Sequence, residues 1–179
     1  MSSLTNSEKA SKLASQIYIG GKEEIYKVYL ADLYDNFVPS DVKSVCKQLL
    51  EHNPPKCNNV NMIVASESNL GLQAVKKYLG SSGDFSEIKV FEKKDEEKWI
   101  QFEQCRRAVW LFNIEDIPLA KFNKVSLLIF LEAPESEETM KKVQQHFVHV
   151  GMDRELIVSI TSVNVKEEGH RYTFQNSEK

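Results

Sequence analysis

From Val60 onward the sequence alternates short apolar runs with longer amphipathic segments, and no other feature restricts the fold so strongly. Val60 to Ala65, Ile88 to Phe91, Ala108 to Phe112, Val125 to Leu131 and Leu156 to about Val165 read as strands. The fourth is the most apolar, as a strand covered on both faces must be. Between them, Leu70 to Leu79 reads as a helix closed by Gly80 and the turn Ser81-Ser82-Gly83-Asp84, and a second helix from about Asp95 carries Trp99, Ile100 and Phe102. Met140, Val143, Phe147 and Val150 give one apolar face to a third helix, which starts after Pro134 and stops at Gly151. This alternation predicts an α/β fold: an open, mostly parallel, Rossmann-like sheet of about five strands with helices on both faces. Glu168-Gly169 is placed to turn a C-terminal β-hairpin that pairs Tyr172-Thr173-Phe174 with the fifth strand, leaving 176–179 as a frayed tail.

Before Val60 the period changes to that of helices. Thr5 and Glu8 have capping-box spacing, and Ala10, Leu13, Ala14 and Ile17 follow as one apolar stripe that ends at Gly20-Gly21. A second helix is expected from about Lys22 to Asn36, where Ile25, Tyr26, Val28, Tyr29, Leu30, Leu33 and Tyr34 occupy most of the circumference and require cover on more than one side. Ser40 is the expected N-cap of a third, whose Val42, Val45, Cys46, Leu49 and Leu50 repeat cleanly before Asn53-Pro54-Pro55 ends it. The expected organisation is a helical segment over 1–53 packed on the sheet of an α/β domain over 60–175.

Composition narrows the function classes. Of 179 residues, 41% are hydrophobic and 27% charged, which excludes wholesale disorder, and no apolar run approaches the roughly 18 residues of a spanning helix. The net charge is −3 with lysines and arginines dispersed, so a nucleic acid held by bulk electrostatics is not expected. Three cysteines without CxxC or zinc spacing point to a reducing compartment, cytoplasm or nucleus. The first strand–helix junction, Ser66-Glu67-Ser68-Asn69-Leu70-Gly71, carries neither G-x-G-x-x-G nor G-x-x-x-x-G-K-[ST], and only 7 glycines occur in all. Standard nucleotide loops, which need backbone free of Cβ atoms around the phosphates, are excluded.

Two sets of residues carry functional expectations. Carboxylates stand at successive strand ends: Glu67, then Glu92 and Asp95, then Glu115 and Asp116, then Glu132. If they converge, Glu67, Asp116 and Glu132 could hold Mg²⁺ for phosphodiester cleavage, as in metal-dependent nucleases. The competing reason for their placement is that acidic side chains favour helix N-termini. His146 and His149 lie three apart without a third ligand, Cys46 belongs to an apolar stripe, Cys105 precedes Arg106-Arg107, and no Ser sits in G-x-S-x-G. The second set is aromatic. Tyr26, Tyr29, Tyr34 and Phe37, with Tyr18 before them, concentrate rings with polar edges in the N-terminal helices, a composition found at interface centres.

The run Leu33-Tyr34-Asp35-Asn36-Phe37-Val38-Pro39 with Val42, Val45 and Leu49 resembles the first two helices of CUE-type ubiquitin-binding modules. The register Val125-Leu131, Ser136-Val150, Leu156-Thr161 is similar to the second half of nucleotide-binding α/β folds such as small GTPases, whose carrying motifs are missing here. That resemblance implies a non-hydrolysing relative kept as an interaction scaffold. The leading expectation is therefore a non-catalytic protein-interaction domain, a subunit or adaptor with protein partners and no cofactor. The alternative is a Mg²⁺-dependent nuclease.

Overall fold

Seven consecutive buried residues form the strand on which the molecule is built: β1 (Val60–Ser66) has no exposed position. The computed structural model describes residues 22–31, 37–53, 60–116, 125–134, 136–147, 156–160 and 170–174, together with Thr5, Glu8, Lys9 and Lys12. On one side β1 pairs in parallel with β3 (Arg107–Asn113), which pairs in parallel with β2 (Lys89–Phe91). On the other it pairs in parallel with β4 (Val125–Phe130), with a register shift at Asn61 and Met62, and β4 pairs in parallel with β5 (Leu156–Ile160). An antiparallel strand, β6 (His170–Phe174), closes that edge on β5. The order β2-β3-β1-β4-β5-β6 is an open α/β sheet with five parallel strands.

Alternate residues of the strands feed two cores. One face carries α1 (Lys22–Leu30), α2 (Ser40–Glu51) and α3 (Asn69–Ser81), whose Tyr26, Val45, Leu49, Leu72 and Val75 pack with Met62, Val64, Leu111 and Ile129. The other carries α4 (Trp99–Gln104) and α5 (Glu137–Phe147) over Ile63, Ala65, Leu128 and Phe130. Its centre is an aromatic trio in which Trp110 stacks on Phe91 (centroids 5.5 Å apart, planes 6° apart) and meets Phe102 edge-on. Val42, Val45 and Leu49, which carry the likeness to a CUE-type module, are fully buried within the sheet's own core.

Local chemistry explains where the elements start and stop. Thr5 caps the first turn of its segment, its Oγ1 accepting the N–H of Glu8 at 3.1 Å; the remainder of that expected helix, with Gly20 and Gly21, lies outside the described residues. Ser40 is not an N-cap: the cap position is Pro39, whose side chain makes no capping hydrogen bond, and Ser40 is the first helical residue. Gly80 does not end α3, because the helix carries an exposed glycine with open space around it and runs on to Ser81. The helix expected from Asp95 begins as a 3₁₀ segment over Lys93–Lys98. There the Asp95 side chain accepts the Glu92 N–H at 3.0 Å in a capping box, and α-geometry starts only at Trp99. Among the described residues no helix is long and apolar enough to cross a membrane.

Candidate functional site

Open α/β sheets bind ligands outside the carboxyl ends of their strands, where neighbouring strands send their connections in opposite directions. In this sheet that place lies between β1, which leads to α3 and β2, and β4, which leads to α5 and β5. Ser66, the last residue of β1, is fully buried there. Its hydroxyl lies 2.8 and 2.9 Å from the two carboxylate oxygens of Glu132 and accepts the Ser68 N–H at 2.9 Å. Ser68 is the N-cap of α3, and its Oγ accepts the Gly71 N–H at 3.0 Å. The first turn of α3, which in other α/β proteins meets a phosphate, is thus capped by its own serine. A carboxylate stands one hydroxyl away from it, and that charge opposes an anion.

The crevice is closed from the α1 side. A Cβ on residue 71 would lie 2.6 Å from Leu131 Cδ2 and 3.1 Å from Tyr26 Cε2, so α1, α3 and the chain leaving β4 meet at Gly71, a contact that only glycine permits without displacement. The Tyr26 hydroxyl donates to Asp41 Oδ2, and Asp41 Oδ1 accepts the Val42 N–H at 3.0 Å. Burial, reinforced by the Asp41 carboxylate and then by the charges of Glu132 and Glu23, holds the Tyr26 hydroxyl well above the usual tyrosine range. It is a permanent donor to Asp41. Burial also raises Tyr29, and it pushes the Cys46 thiol up to about 12, which makes that cysteine inert.

Beside this closed crevice the ends of β2 and β3 leave an open cleft of about 100 Å³. It is lined by Leu72, Trp110, Leu111 and Phe112, all of them buried, and by Glu92, Glu96, Lys93 and Asp116. Lys93 lies 3.2 Å from Asp116, Lys76 bridges to Glu92, and Lys94 stands 3.8 Å from Glu92. Asn113 Nδ2 donates to Asn69 Oδ1 at 2.7 Å across the α3 side of the cleft.

The residues singled out from the sequence are distributed over these two places. Glu132 is held by Ser66, Asp116 faces Lys93 at the exposed rim of the cleft, and Glu67 is exposed. Among the described residues no three His, Cys, Asp or Glu side chains are grouped to hold a metal ion. The structure therefore does not assemble the Mg²⁺ set of Glu67, Asp116 and Glu132. Tyr26 and Tyr29, read from the sequence as a contact surface, are 1% and 7% exposed because they fill the space between α1 and α3. Phe37 is half-buried against the same core, and Tyr34 lies outside the described residues. Ser68, a capping residue type two positions before Leu70, carries a local signal of its role that the sequence-based expectations did not use. The pairings of Ser66 with Glu132 and of Tyr26 with Asp41 join distant positions and leave no local signal.

Comparison with solved structures brings this geometry together with known architecture. The Pyrococcus furiosus Hef helicase domain superposes with a TM-score of 0.53 at 14% identity, over 88% of this chain and 34% of that one. The C-terminal part of the Fun30 ATPase domain superposes with a TM-score of 0.52 at 12% identity, over 79% of this chain and 50% of that one. The fold is RecA-like. This RecA-like domain spans about a third and a half of the two chains it matches. No protein-family model and no curated protein matches its sequence.

Proposed function

We propose that this RecA-like domain is a non-catalytic interaction domain, a subunit or adaptor of a protein assembly in a reducing compartment of the cell. One observation carries the proposal: the crevice in which such a sheet would hold a ligand is filled by the chain's own side chains. Glu132 occupies Ser66, Ser68 caps α3, and Tyr26 and Leu131 converge on Gly71. The solved neighbours are a helicase domain and part of an ATPase domain. Nucleotide chemistry of that kind needs a phosphate loop, and the strand-end loop here has no glycine fingerprint. A sheet with its ligand crevice closed retains its shape, and shape together with an exposed strand edge is what a binding domain uses.

The test is to recover the tagged full chain from native extract after mild cross-linking, identify co-purifying proteins by mass spectrometry, and repeat the recovery from the partner's side. A protein recovered in both directions in constant ratio, with ATP hydrolysis indistinguishable from the blank, is the expected result. A Mg²⁺-dependent ATPase or nuclease activity that disappears in Glu132→Ala would overturn the proposal.

A further inference from the structure

We draw no further inference here: the strongest candidate, the polar side-chain cluster at the amino ends of β1 and β4, where His52 meets Ser126 and the buried Asn61 Oδ1 has no partner among the described residues, carries nothing because nothing in the structure shows a cavity or a ligand beside that oxygen.

Discussion

Tyr26→Phe removes one oxygen and leaves the buried Asp41 carboxylate with one donor fewer. Losing one hydrogen bond to a buried charged acceptor costs about 1–3 kcal/mol, so the urea midpoint of the variant is expected to fall by that equivalent with an unchanged slope. An unaltered midpoint would show that the Tyr26 hydroxyl contributes nothing to holding α1. The same residue sets an alkaline limit. Tyr26, Tyr29 and Cys46 all have folded pKa values above their ordinary ones of 10.0, 10.0 and 9.0. Above those values the unfolded chain releases protons that the folded chain keeps, so their contribution to stability is complete below about pH 9 and is lost as pH rises. Denaturant midpoints are expected to decline from about pH 9 upward, more gently in Tyr26→Phe. A midpoint that held level to the highest pH measured would contradict the burial of these groups. Maleimide should label Cys46 only as fast as the protein unfolds.

Between elements, Arg107 joins the foot of β3 to the end of α2. Its Nη2 donates to the carbonyls of Leu49 (2.7 Å), Leu50 (3.1 Å) and His52 (3.3 Å), which are among the carbonyls a helix end leaves unpaired. His52 adds a second link through Ser126 Oγ at 3.0 Å. Arg107→Ala is expected to cost about 1–3 kcal/mol and to speed hydrogen exchange in the last turn of α2 while leaving α3 protected. Uniform acceleration in both helices would mean that the residue supports the whole fold instead. Elements of this kind were largely legible in the sequence, because period and burial coincide: the run Val42, Val45, Cys46, Leu49 is the buried stripe of α2, and the most apolar expected strand, Val125 to Leu131, is a central one. Their ends were less so. Ser40, Gly80 and Asp95 all carry the residue type of a boundary, but Pro39, the open space around Gly80 and the Glu92–Asp95 capping box decide where the chain turns.

For the whole molecule, what matters is that one crevice is shut and the cleft beside it is open. The aromatic cluster of α1 was visible in the sequence but its side was not, since a helix apolar around most of its circumference satisfies both a core and an interface. Contact with Gly71 places Tyr26 inside. The carboxylates Glu67, Asp116 and Glu132 were visible too, yet strand-end position alone does not say which of them a serine or a lysine will take. Gly71→Ala probes the closure. Its Cβ would meet Leu131 and Tyr26, so a loss of about 1–3 kcal/mol is expected, and combining it with Leu131→Ala should cost less than the sum of the two changes. Strict additivity would mean that the two residues do not meet. The most direct measurement is calorimetric titration of the full chain with ATP and Mg²⁺ to millimolar concentration. A flat titration is expected from a crevice already filled by Glu132, Ser68 and Tyr26. Saturable binding that is abolished by substitution of Ser66 or Ser68 would show that the crevice is open to nucleotide and that the domain is not the closed scaffold described.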